Sequence, residues 1–102
     1  MKILLVCSGG MSTTIVVKSL MKEAQKEGLD LHVEAVGTQA FQDEVKKDYD
    51  AAMVAPQIRH RYDTLKKLAD EAGVPCGLIE PRAYSPMGGD RLLKQIKSLT
   101  SE

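Results

Sequence analysis

Two apolar runs without alternation constrain the fold of this chain more than any other feature. Residues 3–6 read ILLV and residues 51–55 read AAMVA, and neither run contains a polar residue. A strand that is apolar at every position is covered on both faces, which is typical of a parallel sheet in an α/β protein. Each run is followed by a turn and then by a segment with helical apolar spacing. The sequence therefore predicts a parallel sheet with helices on both faces.

The order of strand, turn and helix recurs about four times along the 102 residues. Strands are predicted over 2–6, 31–36, 50–55 and 76–79. Helices are predicted over about 12–27 and 57–72, as a short helix capped by Thr38, and from about Asp90 onward. The second strand alternates more, so we expect it at the sheet edge, with the two most apolar strands in the middle. Right-handed crossovers then give one α/β domain over residues 1–102, with a single four-stranded parallel sheet of order 2-1-3-4.

Composition excludes several classes of function. The chain has 14 Lys or Arg and 14 Asp or Glu, and only 4% aromatic residues, so neither a nucleic-acid nor a membrane-binding surface is expected. The first apolar run is shorter than a signal-peptide core, and no run approaches the roughly 20 residues of a membrane span. We expect a cytoplasmic protein whose two cysteines, Cys7 and Cys76, stay reduced. No His, Cys, Asp or Glu set has metal-ligand spacing, so no metal or cofactor is expected.

Cys7 ends the first strand, and the polar loop SGGMSTT follows it at once. In a sheet of this order, ligands bind beyond the carboxyl ends of strands one and three, beside the turn at 55–57. The loop leads into the first helix, whose free amides carry partial positive charge and favour a thiolate. Gly9 and Gly10 allow several amides to converge on a phosphate, and Ser8, Ser12, Thr13 and Thr14 can add hydroxyl donors. The pattern predicts a cysteine nucleophile that holds a phosphoryl group.

Three segments, CSGGMSTT, VAPQIRHRYD and the loop over 84–89, resemble the IIB components of the sugar phosphotransferase system, in the lactose/cellobiose/chitobiose class. The resemblance covers essentially the whole chain. It implies a phosphotransferase in which Cys7 accepts a phosphoryl group from a phosphohistidine of the IIA component. Cys7 then passes it to a sugar held by the membrane component IIC, a β-linked disaccharide such as cellobiose, chitobiose or lactose. The implied phosphate cradle consists of Ser8, Gly9, Gly10, Met11, Ser12 and Thr13.

The resemblance further implies a monomeric carrier that is cytoplasmic and only transiently at the inner face of the membrane with IIC. The same loop is also similar to the C-x5-R loop of low-molecular-weight tyrosine phosphatases, which share this flavodoxin-like fold. Here Thr13 stands where the phosphatase has arginine, and the facing loop offers Tyr84 rather than an Asp-Pro pair. A phosphatase-like hydrolase is therefore the alternative interpretation. A third is a non-catalytic flavodoxin-like module, although a receiver would need an acidic residue in place of Cys7.

Several residues are expected around the rim of the predicted site. Gln57 follows the third strand and can approach the phosphate or a partner protein, and Tyr84 can shield the thiophosphate or simply pack its loop. Arg59 and Arg61 can steer an acidic partner or form a solvated helix face. His60 is expected to be a surface helix residue. Cys76 is predicted at the opposite, amino-terminal end of the sheet, as a buried thiol and not a resolving cysteine.

Overall fold

A computed structural model describes residues 1–7, 12–84 and 88–100, and for residues 12–14 it describes the backbone only. Its elements, in chain order, are β1 (Lys2–Cys7), α1 (Ser12–Lys26), β2 (His32–Gly37), α2 (Thr38–Glu44), β3 (Ala51–Val54), a 3₁₀ helix (Pro56–Arg61), α3 (Tyr62–Glu71), β4 (Cys76–Leu78) and α4 (Gly89–Thr100). Within this described part, no helix is both long and apolar enough to cross a membrane.

The described strands form one parallel sheet of order β2-β1-β3-β4, as the sequence predicts. β1 lies in the middle and pairs Cys7 with Gly37 on β2 and Val6 with Val54 on β3. Every residue of β3 is buried, and so is every residue of β1 after Lys2. This double-sided burial is the reason for the unbroken apolar runs. β2 lies at an edge, where His32 and Glu34 are exposed.

Helices cover both faces of the sheet, which confirms the predicted fold class. On one face, α2 and α3 pack over Leu4 and Val6, and their buried residues include Phe41, Leu65 and Ala69. On the other face, α1 and α4 pack over Ile3 and Leu5; the buried residues of this face also include Val16, Leu20, Ala24, Leu92, Leu93 and Ile96. The apolar spacing predicted most of these positions. Met21, which the spacing places beside them, is instead 36% exposed.

The predicted single helix over 57–72 is wrong at its start. A 3₁₀ helix, Pro56–Arg61, precedes α3, and the backbone of Ile58 leaves helical geometry at φ −116° and ψ 28°. The Ile58 side chain is 4% exposed and belongs to the core, which ties the turn to the sheet at that residue. Short 3₁₀ turns are common before α-helices. As a consequence, Gln57, Arg59 and His60 lie on an irregular turn and not on a regular helix face.

The predicted cap of the short helix is wrong, and the last helix begins one residue before its predicted start. Gly37, not Thr38, is the cap residue of α2, and it makes no side-chain capping bond. Asp90 is the second residue of α4, and the carbonyl of Gly88 accepts the N–H of Leu92 at 3.0 Å. The helices predicted over 12–27 and 57–72 end near the predicted residues, and a glycine follows each: Gly28 has φ +69° and Gly73 has φ +75°.

Candidate functional site

Cys7 is the last residue of the central strand β1, at the carboxyl edge of the sheet. Its side chain is 7% exposed and belongs to the core beneath α2 and α3. The thiol donates a weak hydrogen bond to the carbonyl oxygen of Val36, with Sγ 3.8 Å from that oxygen. α1 begins five residues later, at Ser12. The central strand thus ends in a buried cysteine just before a helix N-terminus.

The end of β3 lies directly beside the end of β1. The N–H of Ala55 donates to the carbonyl of Val6 at 2.9 Å, so the turn that follows β3 begins next to Cys7. The N–H of Ile79 donates to the carbonyl of Val54 at 2.9 Å, which places the loop after β4 at the same edge. This edge includes the crevice between β1 and β3 where the strand order reverses, the position at which α/β sheets bind ligands.

An open groove at this edge brings together the two predicted rim residues, Gln57 and Tyr84. It has a volume of about 690 Å³ and is lined by Pro56, Gln57, Arg59, His60, Pro81 and Tyr84. Tyr84 is half-buried and packs against the core on both faces of the sheet. Its N–H lies 3.2 Å from the carbonyl oxygen of Glu80 and 3.3 Å from that of Pro81. The tyrosine is therefore held by a tight turn directly after β4.

Sequence reasoning missed part of this groove. The sequence assigns Pro81 no role of its own within the loop over 81–89, and it predicts His60 only as a surface helix residue. His60 is exposed, but it lines the groove with Arg59, because the 3₁₀ turn projects both side chains to the same edge. The signal that could have revealed this turn is Pro56 immediately after a buried strand, since proline favours a tight first turn. The groove thus contains the positive charge of Arg59, in a chain whose formal net charge is zero.

Cys76 lies at the amino-terminal end of β4, away from the Cys7 edge, as the sequence predicts. Burial raises the pKa of its thiol to about 11. Its carbonyl accepts the hydroxyl of Tyr62 at 3.3 Å, and burial also raises the pKa of that phenol. A neutral, buried thiol at this position fits a core residue and not a redox partner for Cys7.

Most residues of the predicted phosphate cradle lie outside the part of the chain that the structure describes. Ser8, Gly9, Gly10 and Met11 lie outside the described residues. For Ser12 and Thr13 the backbone forms the first turn of α1. The cradle therefore stays a prediction. Among the side chains that the structure does describe, no three of His, Cys, Asp or Glu come together to hold a metal ion.

The fold is a small α/β domain in which Cys7 ends the central strand at the carboxyl edge of the sheet. A comparison with protein families identifies its class: residues 2–95 match the lactose/cellobiose-specific IIB subunit of the PTS system. The chain belongs to this family of sugar phosphotransferase components, which are sugar-specific phosphocarriers. The resemblance stated from CSGGMSTT is thereby confirmed at the level of the family.

Similar proteins in bacteria agree with this assignment. The oligo-beta-mannoside-specific EIIB component of Bacillus subtilis is 34% identical over 98 residues, which cover 96% of this chain and 94% of that protein. The cellobiose-specific EIIB component of Lactococcus lactis is 30% identical, over 95% of this chain and 94% of that protein. Other relatives are fused: the lactose-specific EIICB component of Staphylococcus epidermidis is 26% identical over 86% of this chain, which is 15% of its own length.

Two solved structures share the fold. The cellobiose-specific IIB component from Borrelia burgdorferi has a TM-score of 0.77 and 30% identity, and the match covers 98% of this chain and 91% of that one. The lactose-specific IIB domain from Streptococcus pneumoniae has a TM-score of 0.80 with 20% identity, over 97% and 96% of the two chains. The predicted α/β architecture is confirmed by both.

Proposed function

We propose that Cys7 is the phosphoryl carrier of this IIB component. The observation that carries the proposal is the position of its sulfur, at the end of the central strand and just before the N-terminus of α1. The thiolate attacks the phosphorus of a phosphohistidine on a IIA component. The S–P bond forms while the N–P bond breaks, and the imidazole leaves with its electron pair. In the second step a sugar hydroxyl attacks the same phosphorus and its proton passes to a base of the acceptor site or to water. The O–P bond forms while the S–P bond breaks, and the thiolate leaves with the electron pair.

The first turn of α1 supports this chemistry. The first amides of a helix lack internal partners and carry partial positive charge, so they can bind the charged oxygens of a phosphoryl group. The backbone of α1 begins at Ser12, and the predicted cradle over 8–13 leads from Cys7 into this turn. Phosphoryl transfer needs mainly positioning and charge stabilisation, which such a loop supplies. Ser8, Gly9, Gly10, Met11, Ser12 and Thr13 are the proposed cradle.

The low exposure of Cys7 suits storage of the group between two partners. A carrier differs from a phosphatase in that it must exclude water as a nucleophile until the correct acceptor arrives. Cys7 as a whole residue is 7% exposed, and Thr13 stands where a phosphatase of the C-x5-R type has arginine. The phosphorylated chain is therefore expected to hydrolyse slowly, which is the reverse of the behaviour of a phosphatase-like hydrolase.

Both partner proteins must reach the phosphoryl group from the carboxyl edge of the sheet. The groove lined by Gln57, Arg59, His60 and Tyr84 is the proposed contact surface for IIA and for the membrane component IIC. Fusion of IIC to IIB in relatives supports an acceptor in the membrane. The proposed carrier is a cytoplasmic monomer that meets IIC at the inner face of the membrane. Contacts of this kind are small and short-lived.

The proposed sugar is a β-linked disaccharide or a similar glycoside. Relatives are named for oligo-beta-mannoside, cellobiose and galactose, and these names differ among proteins of comparable similarity to this chain. The class of sugar is therefore proposed, and the individual sugar is a question for the matching IIC component.

Phosphorylation in vitro tests the proposal. The chain is mixed with phosphoenolpyruvate, the general phosphotransferase proteins and a IIA component of the lactose/cellobiose type, and the products are read by intact mass and peptide mapping. One added phosphate on the peptide that contains Cys7, absent from Cys7→Ser and retained by Cys76→Ser, is the expected result. A label on another residue, or no label from an active IIA component together with hydrolysis of p-nitrophenyl phosphate, would overturn the proposal.

A further inference from the structure

The side-chain amide of Gln95 on α4 clamps the outer edge of β4. Its Nε2 donates to the carbonyl oxygen of Leu78 at 3.1 Å, and its Oε1 accepts the N–H of Glu80 at 3.1 Å. Ile79, between these two residues, bonds to β3 instead. One amide thus replaces the peptide group of a neighbouring strand and satisfies two backbone groups at the end of β4.

The clamp holds Glu80, the first residue of the turn over 80–84, which we call the Tyr84 loop. The N–H of Glu80 is bound by Gln95, while the carbonyl of Glu80 accepts the N–H of Ala83 at 2.9 Å and that of Tyr84 at 3.2 Å. Glu80 is therefore fixed from both sides of its backbone. Its position determines where the turn begins, and the turn determines where Pro81 and Tyr84 line the groove.

We propose that Gln95 is a positioning residue that sets Tyr84 at the Cys7 edge for productive docking of the phosphorylated IIA component. The inference rests on the proposed function, because it assigns a role within that same transfer step. Gln95 is half-buried and does not line the groove, but its side chain binds the backbone of Glu80, 15 residues earlier in the sequence. It therefore acts on the groove through that backbone and not by contact with the partner. Without the clamp, the turn has more freedom and Tyr84 is less often in place when IIA docks.

The test compares four variants with the wild-type chain in phosphoryl transfer from phosphorylated IIA. Gln95→Met keeps the length of the side chain and loses both hydrogen bonds. Lys94→Met is the matched control, because it puts a methionine at the neighbouring exposed position. Lys94 lines a small surface pocket together with Gln95 and Glu80. Tyr84→Ala removes the group that Gln95 is proposed to position. The double variant Gln95→Met/Tyr84→Ala completes a double-mutant cycle, which measures the coupling between the two residues. Urea unfolding measures the folded fraction of each variant.

We expect Gln95→Met to raise the KM for phosphorylated IIA by about three- to tenfold, which corresponds to the net contribution of about one hydrogen bond. Lys94→Met should leave KM unchanged, and adding Gln95→Met to Tyr84→Ala should raise it no further. A purely structural role of Gln95 would lower the folded fraction and the maximal rate with KM unchanged, or would give the same increase in KM with and without Tyr84. Either result would overturn the positioning role.

Amide hydrogen exchange supplies a readout that does not depend on transfer. Gln95→Met should accelerate exchange at Glu80, Ala83 and Tyr84 relative to the Lys94→Met control, since these amides belong to the clamped turn. Unchanged protection at these three amides would overturn the clamp itself. If the wild-type chain accepts no phosphate at Cys7, the proposed function fails separately, and the positioning role in transfer fails with it.

Discussion

Replacing Gly88 with alanine should destabilise the chain through a backbone clash at the Tyr84 loop. A Cβ built on Gly88 meets the carbonyl oxygen of Arg82 and lies 2.7 Å from the carbonyl oxygen of Ala83 and 2.8 Å from its carbonyl carbon. These neighbours are all backbone atoms, so no flexible side chain can move aside. The loop must shift, and Tyr84, the next residue along, shifts with it.

The free-energy cost of this clash can be separated from other effects of the substitution by comparison with a second glycine. Gly88 and Gly37 each precede a helix: the carbonyl of Gly88 accepts the first N–H bond of α4, and Gly37 caps α2. Both therefore lose the same small capping preference on mutation to alanine. A Cβ on Gly37, however, makes only an ordinary contact of 3.9 Å with the carbonyl oxygen of Cys7. The difference between the two variants is the overpacking cost, which we expect to be about 1–3 kcal/mol.

Urea unfolding followed by circular dichroism measures this difference. With a slope of about 1–2 kcal/mol per M for a domain of this size, 2 kcal/mol lowers the midpoint by about 1–2 M. The same loss lowers the melting temperature by roughly 8–16 °C. Gly37→Ala should lie within about 1 kcal/mol of the wild-type chain. Equal midpoints for Gly88→Ala and Gly37→Ala would refute the argument that close backbone approach requires glycine at position 88.

Two further predictions concern titrating groups. Burial raises the pKa of Cys76 to about 11, so only about one thiol in a thousand is ionised at pH 8. Iodoacetamide should therefore leave Cys76 unmodified in the folded Cys7→Ser variant. Rapid stoichiometric modification of Cys76, detected by mass spectrometry, would contradict this. The hydroxyl of Tyr49 donates to Glu44 at 2.7 Å and, together with Lys47, lowers the pKa of that carboxyl below its usual value. Because this pKa is lowered, the ionised carboxylate stabilises the fold above the ordinary pKa of glutamate, and this contribution is lost as the carboxyl becomes protonated. The loss of stability in Tyr49→Phe should therefore be largest near pH 7 and should shrink below about pH 4. A loss of stability that is independent of pH in urea unfolding would count against the bond.

The sheet could be predicted because its cause is visible in single residues. ILLV and AAMVA can only be buried on both faces, and that fixed β1 and β3 as neighbours in the middle. The position of Cys7 followed from this order, since the last residue of the central strand must lie at the ligand-binding edge. Sequence pattern was less informative where backbone geometry decides, as at Ile58, where a 3₁₀ turn replaces the regular helix expected from its apolar spacing.

The support of the candidate site could not be predicted for a related reason. Gln95 reads as an ordinary polar residue on a helix, and its two partners are backbone atoms 15 and 17 residues away. Because every residue type carries a backbone carbonyl, the sequence does not indicate which backbone groups a side chain will bind. Likewise, Gly88 looks like a flexible loop residue, whereas its role is to let two backbone segments approach closely.

The fate of the phosphoryl group on Cys7 tests the central claim most directly. The phosphorylated chain is isolated with a labelled phosphate and divided between buffer alone and membranes that contain a matching IIC component with a β-linked disaccharide. A carrier should keep the label in buffer and lose it to the sugar when IIC and sugar are both present, with Cys7→Ser never labelled. Release of free phosphate at the same rate in both portions would contradict the account and identify the chain as a hydrolase.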